Sequence, residues 1–452
     1  MKNYDLIVIG AGSGLDVAVE AAHQGLKTAI IEEGPLGGTC LNRGCIPSKM
    51  VLHAADIAQE VRNSSKFGLS ATLKKINFKQ VIQRAVTLVD SEAREIKGGI
   101  YSGHNPVLYN GRGRFIGKHT LQVGGDVIKG DKIVIAAGTR PFIPPIEGLD
   151  RVPYLTSTQA LRLKELPKSM IIIGGGYIAA ELGYFYASMG CQVTIIQRKA
   201  LLLPNVDHEV ATTFTSMWKE KCNVILNADV EQVEYIGKKV LVSVKIKGKT
   251  TILKAEKLLI AAGRIPNSDL LRVGKSSIKT DKKGYIIVDG FMETNVSGIW
   301  ALGDIAGKYQ FKHSANLEAA YVLQNMFGHK KIVDYYPMPY AIFTNPQIAG
   351  VGMTEQEMGK REYVVGRYEY KDTGMGAAMG ITEGFVKFIV DKKTHEILGC
   401  HIMGPQASIL IHEVVVAMKA NRVRALEILQ STVHVHPALS EVVQRAALSV
   451  RG

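Results

Sequence analysis

The sequence lacks the features that would tie a chain of 452 residues to a membrane, a secreted scaffold or a nucleic-acid surface. No run of about 18 or more apolar residues occurs, so no membrane-spanning helix is expected. Only five cysteines are present. They are too few and too scattered for the disulfide framework of a secreted protein, which points to a reducing, cytoplasmic setting. Met1-Lys2-Asn3-Tyr4-Asp5 runs straight into an apolar strand pattern, so no signal peptide is expected. Low-complexity tracts are also missing. The formal charge is +14, yet the basic residues are dispersed, with short clusters such as Lys74-Lys75 and Lys392-Lys393. Without a long Lys/Arg block or a basic stripe interleaved with aromatics, no nucleic-acid partner is expected. A basic surface of this kind suits anionic ligands such as nucleotides.

What is present is globular: 46% hydrophobic residues and length for about three domains. Two of the five cysteines stand close together, in Gly37-Gly38-Thr39-Cys40-Leu41-Asn42-Arg43-Gly44-Cys45-Ile46-Pro47-Ser48-Lys49. A pair at this spacing can close a small disulfide ring and reopen it by two-electron exchange. The small residues before each cysteine let backbone approach a flat partner. A helix is expected to begin at Ser48-Lys49, and a helix start favours thiolate nearby. A structural disulfide or a zinc half-site are the alternatives. One short loop stabilises a chain this long only slightly. Zinc would need two more ligands, and Cys191, Cys222 and Cys400 stand singly, so no metal site is expected.

Two further stretches carry nucleotide chemistry. Tyr4–Ile9 reads as a strand, Gly10-Ala11-Gly12-Ser13-Gly14 as a turn, Leu15–Gly25 as a helix and Thr28–Ile31 as a strand ending in Glu32. Glycines permit the tight turn and bring pyrophosphate to the helix N-terminus, and a carboxylate about 20 residues on binds ribose hydroxyls. The third glycine position is Leu15, with Gly14 beside it, so the helix is expected to pack differently on its sheet. The pattern recurs with Ser169–Ile173, Gly174-Gly175-Gly176-Tyr177-Ile178-Ala179 and Gln192–Ile196. Here the acidic position is Gln197, followed by Arg198 and Lys199. A neutral amide beside two cations suits a 2′-phosphate, which predicts NADP(H) over NAD. Two dinucleotide folds and a redox pair imply a relay through nicotinamide, flavin and disulfide.

GGTCLNRGCIPSK resembles the redox-disulfide segment of the flavoprotein pyridine nucleotide-disulfide oxidoreductases. The resemblance is closest to dihydrolipoamide dehydrogenase. Phe311-Lys312-His313-Ser314-Ala315-Asn316 and Gly404-Pro405-Gln406-Ala407-Ser408 are similar to mycothione reductase. Mercuric reductase fits less well, since the chain ends at Arg451-Gly452 with no terminal cysteine pair.

The resemblance implies an α/β protein with two Rossmann-like dinucleotide-binding domains and a C-terminal α+β dimerisation domain. FAD would bind residues 1–148 and 268–335, NAD(P) residues 149–267, and residues 336–452 would form the dimer interface. It implies that Cys45 contacts the flavin and Cys40 exchanges with substrate. Lys49 would lie near the flavin and pair with Glu181. Asp304, in Trp300-Ala301-Leu302-Gly303-Asp304, would bind the ribitol, and Gly263, in a segment that mirrors Ala137-Gly138-Thr139, would return the chain to the FAD domain.

His436-Pro437-Ala438-Leu439-Ser440-Glu441 resembles the family's acid/base motif. His436 would move the proton and Glu441 would orient it, with His434 structural. In the family this histidine serves the other subunit's disulfide, which implies a homodimer. The implied substrate is a small thiol/disulfide or a lipoyl domain. The expected activity is that of dihydrolipoyl dehydrogenase. The alternatives are an NADPH-dependent reductase of a low-molecular-weight disulfide, mycothione or glutathione reductase-like, or a redox-inactive flavoprotein acting as a binding partner.

Overall fold

The computed structural model describes residues 1–102 and 106–451. They fall into two units: Met1–Met50, Gln80–Phe142 and Gly263–Tyr335 in the first, Val51–Lys79, Ile143–Ala262 and Tyr336–Gly452 in the second.

In the first unit the apolar run predicted at Tyr4–Ile9 becomes the strand Lys2–Ile9, inside a seven-stranded sheet. It pairs in parallel with Thr28–Glu32 on one side and Asp126–Ile135 on the other. Leu6, Ile7 and Val8 are fully buried, because a parallel strand covered on both faces needs apolar side chains in succession. Gly14–His23 packs on one face through Val17, Ala18 and Ala21. Ile299–Ala301 joins Asp126–Ile135 in parallel at Ile133–Ile135, on the side away from Lys2–Ile9. The strand Asp126–Ile135 ends in a turn at which Gly138 has a φ of +61°. Thr139–Pro141 then pairs antiparallel with Arg264–Pro266.

The helix expected to begin at Ser48-Lys49 begins earlier. Cys45–Asn63 is one helix, and Cys40 lies within a separate short helix, Gly38–Arg43. Pro47 is tolerated there because the first turn has no intrahelical acceptors for its N–H groups. Gly44 joins the two helices tightly. A Cβ there would lie 2.9 Å from the Thr39 carbonyl oxygen.

The second unit holds three sheets. A four-stranded parallel sheet runs Asn223–Leu226, Gln192–Gln197, Ser169–Ile173, Lys257–Ile260. A three-stranded antiparallel sheet, Ala228–Ile236, Lys239–Ile246 and Lys249–Ala255, had no counterpart in the sequence reading. The third is five-stranded and antiparallel: Pro339–Ile342, Gln347–Gly352, Ile397–Gly404, Phe385–Asp391, Tyr363–Glu369. Ala407–Ala420 covers it with Ile411, Val414 and Met418.

An ion cluster sits on this last sheet around a buried lysine and aspartate. Lys387, 1% exposed, contacts Asp207 at 3.0 Å, Glu209 at 3.2 Å and Glu355 at 2.5 Å. Asp207 is fully buried and also accepts N–H bonds from Glu209 and Glu355. Burial pushes its carboxyl upward, but His401, the Glu355 N–H and Lys387 together hold it below the usual range. Lys387→Met leaves Asp207 buried without its cation. It is expected to cost about 3–5 kcal/mol, read as a fall in the urea midpoint. A carboxylate with a depressed folded pKa stabilises fully above its unfolded value and loses that contribution as pH falls through the folded one. The gap between variant and wild type should therefore narrow below about pH 4.

Candidate active site

The two glycine turns share one geometry. Gly10 and Gly174 have φ of +100° and +120°, and a Cβ on them would lie 2.4 Å from the Ala136 and 2.2 Å from the Ala261 carbonyl oxygen. Only glycine meets both demands. Gly14 answers the departure at Leu15. A Cβ there would meet Val8 and Ala136 side chains at 2.8 Å, so Gly14 is where the helix closes onto the sheet. Glu32 stands at the strand end, its Oε2 accepting from Ala11 N and its Oε1 from Gly34 N, both at 2.8 Å. Each oxygen retains acceptor capacity for a hydroxyl. Glycine turn, helix start and carboxylate fit a dinucleotide.

The cysteine segment lies directly against this turn. A Cβ on Gly38 would come within 2.7 Å of Gly12 Cα, and Gly37 N donates to Ala11 O at 2.9 Å. Two residues on, the Cys40 and Cys45 side chains share a hydrogen bond. That bond first, and burial second, push the Cys40 thiol up, while Lys312 draws it down. Lys312 Nζ donates to Ser13 Oγ at 2.8 Å, on the same turn. Cys40 is half-buried and Cys45 exposed. Lys49, one helical turn after Cys45, has its Nζ 3.5 Å from Ser48 Oγ.

Asp304 is held from two sides. Thr139 Oγ1 donates to its Oδ2 at 2.7 Å, and Arg264 Nε lies at 3.8 Å from the same oxygen. Arg264 also donates to Thr139 Oγ1 and O. Gly263 precedes it with φ of +123°, its carbonyl accepting from Phe142 N. The sequence reading missed Thr139, Arg264 and Lys312 as site residues, although each lies within a motif it quoted.

In the second unit Gly176 leads into the helix Tyr177–Met189. Glu181 is buried, its Oε1 accepting from Phe343 N at 3.0 Å. Gln197 is buried at its strand end. Its amide lies against Gly175, where a Cβ would meet Nε2 at 2.7 Å, and donates to Leu201 O at 3.4 Å. Arg198 and Lys199 follow on the surface, and among the described residues neither forms an ion pair.

His436 and Glu441 also meet, with Nδ1 2.9 Å from Oε1. Glu441 begins the helix Glu441–Leu448 and its Oε2 accepts from Ala438 N at 3.1 Å. The bond to His436 first, then the Ala438 N–H, hold its carboxyl low. A carboxylate only accepts, so Nδ1 carries hydrogen and Nε2 is the basic nitrogen. The His436 side chain is 75% exposed. His434, by contrast, has both nitrogens occupied, at 3.2 Å from Glu413 and 3.0 Å from Thr432 O.

Comparison with known proteins agrees with this geometry. Residues 4–319 match the profile described as pyridine nucleotide-disulphide oxidoreductase, and residues 338–447 match the dimerisation domain of the same family. A dihydrolipoyl dehydrogenase of Chlamydia trachomatis is 35% identical over 98% of this chain and 96% of its own. A mycothione reductase of Mycobacterium tuberculosis is 34% identical over the whole of both chains. Among solved structures, the Cu(II) complex of the HOCl-induced flavoprotein disulfide reductase RclA from Escherichia coli superposes with a TM-score of 0.89, at 30% identity over the full length of both. The family implies FAD and a nicotinamide dinucleotide as cofactors. This chain belongs to the pyridine nucleotide-disulphide oxidoreductase family, as a flavoprotein oxidoreductase with a redox cysteine pair and a C-terminal dimerisation domain.

Proposed function

We propose that this chain moves electron pairs between NAD(P)H and a dithiol/disulfide substrate through Cys40 and Cys45, with dihydrolipoamide as the leading substrate. The observation that carries the reading is the cysteine pair seated against the first glycine turn, Gly38 upon Gly12. When bound, FAD and the nicotinamide supply two-electron transfer to or from the cysteine pair. The residues of the chain do the rest. Glu32 and Asp304 hold hydroxyls of the first dinucleotide, and Lys312 places positive charge beside Cys40. In the reducing direction the Cys40 thiolate attacks a substrate disulfide, forming a mixed disulfide and releasing one thiolate, which takes a proton from His436. The Cys45 thiolate then attacks the Cys40 sulfur, forming the Cys40–Cys45 disulfide, breaking the mixed one and releasing the second half as a thiolate that takes a proton from solvent. Oxidation of a dithiol runs the same steps backward, His436 Nε2 taking the proton.

The active unit is a homodimer in which His436 serves the cysteine pair of a second copy. Ile409 and Val416 on one face of their helix, with Val433 and Val435 beside His436, expose 65%, 65%, 94% and 75% of their surface, an apolar face that suits another subunit.

A second reading, an NADPH-dependent reductase of a low-molecular-weight disulfide, is favoured by Gln197, Arg198 and Lys199. Assays of lipoamide, glutathione and other small disulfides with NADH and NADPH separate the two, and no turnover of any would leave the redox-inactive alternative. Arg198→Ala is expected to lower kcat/KM for NADPH about 10- to 100-fold, the value of a charge-assisted bond to phosphate, with NADH use unchanged. A wild-type preference for NADH would remove the basis of this expectation.

A further inference from the structure

Four strands of the five-stranded sheet place Tyr340, Gly350, His401 and Lys387 in one cross-strand row. Gly350 leaves the row flat at its second position. A Cβ there would lie 2.7 Å from Cε1, Cζ and the hydroxyl of Tyr340, so the Tyr340 ring lies across the glycine and reaches the next strand. There its hydroxyl is 3.4 Å from His401 Nδ1. His401 Nε2 is 3.0 Å from the Met353 carbonyl. A carbonyl only accepts, so Nε2 carries the hydrogen, Nδ1 is the acceptor and Tyr340 donates. His401 is fully buried, and burial pushes its imidazole pKa down from the usual value. Tyr340 is thus anchored through a single hydrogen bond to an immobile ring.

Its other face meets Tyr177. The two rings are stacked, with centroids 6.1 Å apart and planes 29° from parallel. Tyr177 is the first residue of the helix after Gly176, next in the chain to the second glycine turn.

We propose that Tyr340 is a positioning residue for the pyridine nucleotide, holding the Tyr177 ring beside the Gly174–Gly176 turn through its anchor on His401 and its seat on Gly350. The proposal rests on the reading that this turn takes NAD(P). A ring held in place surrenders less freedom when a nucleotide packs on it than a ring that must be ordered on binding. The role is indirect: Tyr340 acts only through Tyr177.

The test is calorimetric titration of the FAD-loaded protein with NADP+ and with NAD+, for wild type, Tyr340→Leu, Tyr340→Phe, Tyr177→Leu and the Tyr177→Leu/Tyr340→Leu double variant. Tyr340→Leu is expected to weaken binding of the preferred nucleotide about three- to tenfold, the value of one aromatic pair. Tyr340→Phe keeps the ring on Gly350 but removes the hydroxyl bonded to His401, and should show an intermediate loss. In the Tyr177→Leu background, Tyr340→Leu should have no further effect, since a residue acting through another is non-additive with it. The KM for the disulfide substrate should stay unchanged throughout. Unaltered nucleotide affinity in Tyr340→Leu, or an equal loss with Tyr177 present and absent, overturns the proposal and leaves the assigned function standing. Should Tyr340→Leu not fold, Tyr340→Phe with and without Tyr177→Leu decides by the same coupling. Wild-type protein that binds neither nucleotide overturns both.

Discussion

His436→Ala is expected to reduce thiol–disulfide turnover by about 10²- to 10⁴-fold, the usual contribution of a positioned acid/base. Reduction of the bound flavin by the nicotinamide should keep its wild-type rate. The asymmetry follows from where protons move. Passing an electron pair from nicotinamide to flavin needs no imidazole, whereas each thiolate that leaves or enters must be protonated or deprotonated. The Glu441 carboxylate holds Nδ1 at 2.9 Å, which leaves Nε2 as the acceptor. Glu441→Gln should retain the hydrogen bond but lose the charge that stabilises imidazolium, and so should cost less than removal of the ring. Rapid-mixing measurements of the two half-reactions separate these effects. Equal slowing of both halves in His436→Ala would show that the residue supports the fold and does not handle the proton. Because the proposed unit is a homodimer, mixing His436→Ala with Cys45→Ser subunits gives a further arm. Heterodimers should recover one complete site, with His436 from one copy and the cysteine pair from the other.

The parts of the site that were legible in the sequence are those set by short-range spacing. Cys40 with Cys45, and His436 with Glu441, lie within a few residues of each other, and the glycine turns at Gly10 and Gly174 show in their own spacing, although the carbonyls that crowd them, of Ala136 and Ala261, are distant in sequence. The strand runs around the glycine turns were legible for a similar reason, since parallel strands buried on both faces are written as unbroken apolar runs. The cysteine helix starts three residues before Ser48, with Pro47 in its first turn, where a missing N–H costs nothing. The contacts of Asp304 with Thr139 and Arg264 were hidden for another reason. They require Thr139–Pro141 and Arg264–Pro266 to pair as strands, 125 residues apart in the Arg264–Thr139 bond. Tyr340, Gly350, His401 and Lys387 become one row only through sheet register, and nothing in their local sequence announces it. The antiparallel sheet of 228–255 went unread for want of a functional motif to draw attention to its alternation.

Cys45→Ser should bind FAD as wild type does and lose disulfide turnover to background, on the order of 10³-fold or more, as for loss of a nucleophile. The more telling result is what accumulates. With Cys40 intact, the reduced variant can still attack a substrate disulfide and release one thiol. The resulting mixed disulfide on Cys40 has no neighbouring thiolate to resolve it, because a serine hydroxyl does not displace sulfur. Intact-protein mass spectrometry should therefore find one substrate half bound per chain, removable by dithiothreitol. Cys40→Ser should retain none at that position. Lys312 draws the Cys40 thiol down, against the larger upward push of the bond to Cys45 and of burial, and Cys45 is the more exposed sulfur, so the position of the trapped adduct decides the roles. If Cys45→Ser turned over at the wild-type rate, the pair would not be the electron carrier. If the trapped adduct instead formed in Cys40→Ser, the two sulfurs would have exchanged roles, with Cys45 facing the substrate.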